Sequence, residues 1–330
     1  MKKPNLLSRL AMLYYCLTFG GFTWVWLAVF RLTCLVPQIV IPLVLVYLTY
    51  VYYIDLDAMY TGSWKPRGKR LPVWRYMKSY FKSATLEKME ELDSGPYLFV
   101  HHPHGILAMG SWLAFGTDAL GFAEMFPKVR DVRLVTLNVN FWAPFLREFL
   151  LLHGVCSCAR HSLIRLLRLK KSVALVVGGG SESLLSHPNS YELVLNRRRG
   201  FVKVALETGT PLVPVMTFGE TNTYRTVDRL HTYGSWIRKI QRRIEKRLGF
   251  TIPIVLGRGV FLPYGLLPMY DVDIRVVVGK PLKVPRVDPK SMSKDAFQEL
   301  VDTYHGKYVE ELYQLFDNAK DADVTLEIVE

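Results

Sequence analysis

Charge is absent from two long stretches near the start of the chain. No residue from Leu10 to Phe30 is charged, Arg31 interrupts, and Leu32 to Ile54 is uncharged again. A helix of either length spans about 30 Å, the thickness of a bilayer's hydrocarbon core. With almost nothing between them, the two runs predict a hydrophobic helical hairpin over residues 1–60. Lys2, Lys3 and Arg9 precede it, and Lys65, Arg67, Lys69 and Arg70 follow it. Positive charge on both flanks predicts both termini on the cytosolic face. Pro37 and Pro42 leave open whether the second run is a kinked span or a re-entrant wedge. The plainer alternative is a pair of core helices in a soluble domain, which such long uncharged runs disfavour. The first run is also too long for the apolar part of a cleaved signal peptide.

After a basic, Gly- and Pro-bearing linker (Thr61–Arg70), the pattern alternates between short apolar runs and helical periodicity. Strands are predicted over Tyr97–His101, Val132–Leu137, Val173–Val177, Leu212–Thr217 and Val272–Val278. Helices are predicted over Ile106–Phe115, Pro144–Leu152, His161–Leu169, Gly200–Glu207, Gly234–Leu248 and Ser291–Phe316. This alternation predicts an α/β domain over residues 61–330, a mainly parallel sheet with helices on both faces. No internal repeat or low-complexity segment is present.

Composition narrows the function. Net charge is +13, half the residues are hydrophobic and mean hydropathy is +0.14. A basic balance suits an anionic membrane face, a phosphorylated ligand or nucleic acid. Nucleic acid is the weakest, because no zinc-finger, helix-turn-helix or RNA-binding motif occurs and the aromatics sit in apolar runs. Cys16, Cys34, Cys156 and Cys158 form neither a disulfide framework nor a zinc pattern. The basic helix carries an apolar stripe, Ile237, Ile240 and Ile244, which fits packing on the core or lying against anionic headgroups.

Four segments stand at or near the ends of predicted strands, where parallel sheets bind ligands. The first is His101-His102-Pro103-His104-Gly105, which holds three of the chain's eight histidines. A strand-to-helix turn can hold an imidazole rigidly as a base. A His-rich surface turn is the bland alternative. The second is Gly178-Gly179-Gly180-Ser181-Glu182-Ser183, whose free N–H groups suit an oxyanion or phosphate and whose Glu182 is placed to orient an imidazole or to stand solvated. The third is Arg197-Arg198-Arg199-Gly200-Phe201-Val202-Lys203. Its positive charge at a helix start is unfavourable unless an anion offsets it or solvent screens it. The fourth is Phe218-Gly219-Glu220, where Glu220 faces the same edge or only holds a loop. A metal site is disfavoured because the histidines lack converging spacing, and no Gly-x-Ser-x-Gly elbow supports a serine nucleophile.

Taken together, these blocks resemble the diacylglycerol acyltransferase type 2 family, which includes monoacylglycerol and wax-alcohol acyltransferases. The match runs through His102-Pro103-His104-Gly105, Phe145-Leu146-Arg147-Glu148 with Gly154, Gly178-Gly179-Gly180-Ser181-Glu182-Ser183-Leu184, and Arg199-Gly200-Phe201-Val202-Lys203. It continues through Leu212-Val213-Pro214, Phe218-Gly219-Glu220, Gly257-Arg258-Gly259, Gly265-Leu266-Leu267-Pro268, Val278-Gly279-Lys280-Pro281 and His305…Tyr308…Leu312…Leu315-Phe316. The blocks are collinear from about Leu71 onward, and the N-terminal hairpin is similar too. The extra glycine and the serines of the third block depart from the family pattern, as does the Cys156–Cys158 stretch. They bear on substrate range more than on reaction type.

The resemblance implies a glycerolipid-acyltransferase-like fold and an enzyme of the endoplasmic reticulum membrane or lipid droplet. That enzyme would move an acyl chain from acyl-CoA to an acylglycerol hydroxyl with no metal or redox cofactor. Its partners would be acyl-CoA, the lipid acceptor, membrane lipid and, at most, further copies of itself, with no nucleic acid. His102 or His104 is the expected base and Glu182 the group that orients it. Gly179, Gly180, Arg199 and Lys203 are the expected acyl-CoA contacts, with Pro103, Gly105, Arg147, Glu148 and Glu220 as motif or structural residues. Unlike the related glycerol-phosphate acyltransferases with a His-x4-Asp motif, the chain has Leu107 where an aspartate would follow His102, so the partner carboxylate must come from elsewhere. Monoacylglycerol and long-chain alcohols remain alternative acceptors, and a lipid-binding scaffold is the non-enzymatic alternative.

Overall fold

A computed structural model describes residues 3–19, 23–226, 235–248, 253–321 and 324–329; Lys2 and Gly234 lie outside them. The strands are β1 (Ser83–Lys88), β2 (Leu98–His102), β3 (Val132–Thr136), β4 (Cys156–Ser157), β5 (Ser172–Val176), β6 (Tyr191–Leu193), β7 (Leu212–Phe218), β8 (Arg225–Thr226), β9 (Val255–Leu256), β10 (Asp273–Val278) and β11 (Leu326–Ile328). Seven form the central sheet in the order β1-β10-β7-β2-β5-β3-β4. β7, β2, β5, β3 and β4 run parallel, while β10 joins β7 antiparallel and pairs in parallel with β1. The domain is therefore α/β with a mostly parallel sheet, as expected. β1 went unpredicted: only Ala84 and Leu86 of this edge strand are buried.

β2 lies between β5 and β7 and is buried along its whole length, which is why it reads as an unbroken apolar run. The two-residue period of a strand sends alternate side chains to opposite faces. Phe99 packs among residues of the helix Met109–Ser111 and its continuation Trp112–Gly116, with Trp74, Phe149 and Tyr15 in the same core. Leu98 and Val100 pack on the other face, in the core shared by the helices Arg160–Arg168, Gly200–Thr208 and Lys294–Ala319. Helices thus cover both faces.

The N-terminal apolar residues fold as three helices. Leu6–Phe19 buries Ser8, Ala11, Met12, Tyr15 and Thr18 against the domain and exposes Leu6, Leu7 and Leu10. Thr23–Leu35 and Pro37–Thr49 pack together across Val36, and the second continues through a wider turn, Tyr50–Ile54. Pro37 stands at the start of its helix, where a missing N–H costs nothing. Among the described residues, Pro37–Ile54 is the one helix long and apolar enough to cross a membrane. Its residues Leu43, Val46 and Tyr53 are 64%, 69% and 85% exposed.

Arg147 and Glu148 fasten this helix to the domain. Arg147, buried in the helix Leu146–Leu152, donates to both the main-chain carbonyl and the carboxylate of Asp55 and to Glu148 Oε1 at 3.1 Å. Glu148 Oε2 accepts from Tyr47 Oη at 2.5 Å and from the Phe145 N–H at 2.8 Å.

Candidate active site

The carboxyl ends of β2, β5 and β7 bring three of the four predicted segments to one edge, and the arginine block joins them through its side chains. Alternation within β2 sends its two terminal histidines to opposite faces. His101 Nε2 lies 2.7 Å from Thr217 Oγ1 of β7. His102 Nε2 lies 3.0 Å from the Tyr308 hydroxyl of the C-terminal helix, which also reaches the Val100 carbonyl at 3.3 Å. Both rings are fully buried, and Nδ1 of each has no hydrogen-bond partner among the described residues. Burial drives both pKa values down to about 3.

His104 is different. It is partly open, and its Nδ1 lies 3.0 Å from the Gly105 carbonyl. A carbonyl only accepts, so Nδ1 carries the proton and Nε2 of the neutral ring keeps its lone pair. Burial of the ring lowers its pKa from the ordinary 6.5, against a smaller opposing effect of the Gly105 carbonyl.

Two carboxylates grip the turn from opposite sides. Glu182 Oε2 accepts the His104 main-chain N–H at 2.7 Å, and Oε1 accepts the Val194 N–H at 3.0 Å. The expected contact with an imidazole is therefore replaced by a contact with the backbone that carries it. Glu182 stands in the first turn of the helix Gly179–Leu185, because the glycine run opens a helix rather than forming a loop. A Cβ at Gly178 would overlap the Glu182 carboxylate, which accounts for a glycine at the first position of the block. Glu220 follows β7 and accepts the Met109 and Gly110 N–H groups at 2.9 and 2.8 Å. That capping explains why the predicted helix from Ile106 begins only at Met109. Burial raises both glutamates to about 7, opposed in each case by the N–H bonds.

The remaining predicted residues sit close by, with other partners. Arg198 donates to the Gly178 carbonyl at 3.2 Å and Arg197 to Ser181 at 3.0 Å. Arg199, expected on acyl-CoA, is held by Asp302 of the C-terminal helix at 2.7 Å. Lys203 is half-buried one turn further on, Gly179 has φ +61°, and Gly180 follows it in the helix. Pro103 is buried between the two histidines. Reading the sequence missed Thr217, Asp55 and Tyr47. Only Asp55 left a signal, as the first carboxylate of the chain, at the end of the uncharged run from Leu32.

The model of the diacylglycerol acyltransferase family matches residues 31–327. This chain belongs to that family. It is 36% identical over 331 residues to diacylglycerol O-acyltransferase 2A of Umbelopsis ramanniana, covering 98% of this chain and 90% of the relative. It is 40% identical over 253 residues to diacylglycerol O-acyltransferase 2 of Danio rerio, covering 75% and 67%. Among solved structures, the 1-acyl-sn-glycerophosphate acyltransferase PlsC of Thermotoga maritima aligns over 92% of this chain and 98% of that one, at 11% identity and a TM-score of 0.37. Membership of the diacylglycerol acyltransferase family makes the chain an acyltransferase.

Proposed function

We propose that this acyltransferase esterifies diacylglycerol to triacylglycerol with acyl-CoA as donor, at the endoplasmic reticulum membrane, with His104 as general base. The observation that carries the reading is the His104 ring: partly open, depressed in pKa, and held so that Nε2 is the free acceptor. The acceptor hydroxyl gives its proton to Nε2 as its oxygen attacks the thioester carbonyl. Collapse of the tetrahedral intermediate breaks the carbon–sulfur bond, and the coenzyme A thiolate leaves with the proton returned by His104. Charge on the thioester oxygen falls near the start of the helix Gly179–Leu185, and Arg199 and Lys203 stand nearby for the phosphates of coenzyme A. The scheme needs no metal or redox group. His102, fully buried with Nε2 against the Tyr308 hydroxyl, is a structural member of the turn in this reading.

Exposed apolar surface supports a membrane setting. Besides the helix Pro37–Ile54, an ordered hairpin at Gly257–Leu267 presents Phe261, Leu262, Tyr264 and Leu266 at 83%, 72%, 72% and 64% exposure. Its Val260 carbonyl accepts from Arg9 at 2.7 Å, which ties it to the helix Leu6–Phe19. In the basic helix Trp236–Leu248, Trp236 and Ile240 are exposed, as headgroup contact requires. An embedded N-terminal region with cytosolic termini and a cytosol-facing domain places the site beside both its lipid acceptor and soluble acyl-CoA.

The test is acyl transfer from radiolabelled oleoyl-CoA in microsomes carrying the protein, with diacylglycerol, monoacylglycerol and hexadecanol supplied separately. Label in triacylglycerol is the expected result. Label only in diacylglycerol or wax ester would change the acceptor and keep the mechanism. No label with any acceptor, from well-expressed protein, would overturn the reading.

A further inference from the structure

Among the described residues, Glu220 is a buried carboxylate with no cation paired to it. It is 0% exposed, and among those residues its two oxygens accept only the Met109 and Gly110 N–H groups. Burying such a group costs far more than an amide or hydroxyl cap would. What a carboxylate adds is two acceptors in one rigid plane, fixing two consecutive donors at once.

Its stem does a second thing. Gly105 has φ +56°, and a Cβ there would stand 2.5 Å from Glu220 Cγ. Glu220 therefore packs directly against Gly105, whose carbonyl accepts from His104 Nδ1 and fixes the ring's tautomer. The segment between is closed on itself, since the Ala108 N–H donates to the His104 carbonyl at 3.1 Å. Tyr15 of the first apolar helix donates to the Leu107 carbonyl at 2.8 Å. Glu182 holds the turn at the His104 N–H, and Glu220 holds it at Gly105, Met109 and Gly110.

We infer that Glu220 is a positioning residue for the reaction: it sets the Gly105 carbonyl, and through it the direction in which His104 Nε2 presents its lone pair. This rests on His104 being the base. Displacing a base by about 1 Å costs up to about 100-fold in rate without requiring any change in substrate affinity. Outer groups that orient a histidine typically matter by about 10- to 100-fold.

Glu220→Gln, Glu220→Asp and Glu220→Ala, made in the full-length chain and assayed in microsomes beside His104→Ala, separate the possibilities. Gln keeps one acceptor oxygen and Asp is one carbon too short to reach both donors. The expected result is a fall in kcat of about 10-fold for Gln and about 100-fold for Ala, with KM for acyl-CoA within about twofold and no loss of thermal stability in the Gln variant. Gly105→Ala, which drives a methyl into Glu220, should lower kcat in the same way. Full kcat in Glu220→Ala with an inactive His104→Ala would overturn the inference. So would a loss that follows the amount of folded enzyme, judged on the isosteric Gln variant if Ala does not accumulate. An active His104→Ala would instead overturn the assignment of the base.

Discussion

Glu182 holds His104 by its main-chain N–H, at 2.7 Å, and not by its ring. The carboxylate thus fixes where the residue sits, while the Gly105 carbonyl fixes how its ring is protonated. Position and tautomer are set by separate contacts and can be removed separately.

Replacing Glu182 should therefore damage turnover and not substrate binding. Glu182→Gln keeps an acceptor for only one of the His104 and Val194 N–H groups and should lose about 10- to 100-fold in kcat. Steady-state kinetics in microsomes, with KM for acyl-CoA unchanged, checks this. A rise in KM at constant kcat would show a binding role.

The pH profile of kcat/KM should have an acid limb below pH 6.5. Only the neutral His104 ring accepts a proton, and its pKa is depressed by burial. Activity then persists on acidification past the ordinary histidine value and falls at lower pH. An acid limb centred above 6.5 would contradict the environment of the ring.

Stability should respond to the two buried glutamates in the opposite direction. Folding raises each from 4.5 to about 7, so the protonated forms favour the folded state. Their contribution is complete below about pH 4.5 and is lost as pH rises through about 7. Relative to wild type, Glu182→Gln and Glu220→Gln should gain thermal stability between pH 5 and 8, measured by melting in detergent. A difference that stays flat with pH would contradict this.

Breaking the Arg147–Asp55 pair should loosen the apolar helix from the domain. Arg147 is 1% exposed and paired with two carboxylates, so Asp55→Ala removes one of them, leaves Glu148, and should cost about 1–3 kcal/mol. Protease nicking between residues 55 and 70 and a lowered melting temperature are the readouts; the double variant Asp55→Ala/Arg147→Met should recover part of the loss.

Tyr308→Phe removes the hydroxyl partner of His102 Nε2 and should cost about 1–3 kcal/mol of stability. If His102 is structural, kcat of the folded fraction stays within a few-fold of wild type. A selective collapse of kcat would place His102 in the chemistry.

Much of this was legible because β2, β5 and β7 are central parallel strands, whose continuous apolar runs stand out in sequence and whose ends mark the functional edge. The signature residues could likewise be named from the chain alone. Their partners could not. The Asp55–Arg147 contact spans 92 positions and the His102–Tyr308 contact 206, so no local periodicity reveals either. The glycine run resembles a loop until Glu182 folds back over Gly178 and makes it a helix start. The first apolar helix looks uniformly membrane-facing, yet Tyr15 and Met12 are fully buried in the domain.

The central claim, that His104 and not His102 is the base, is tested most directly by comparing His104→Ala with His102→Gln in acyl transfer from labelled oleoyl-CoA to diacylglycerol at matched levels of folded enzyme. The expected result is a loss of about 100-fold or more for His104→Ala and a much smaller loss for His102→Gln. Near-normal turnover in His104→Ala, with His102→Gln inactive, would contradict it.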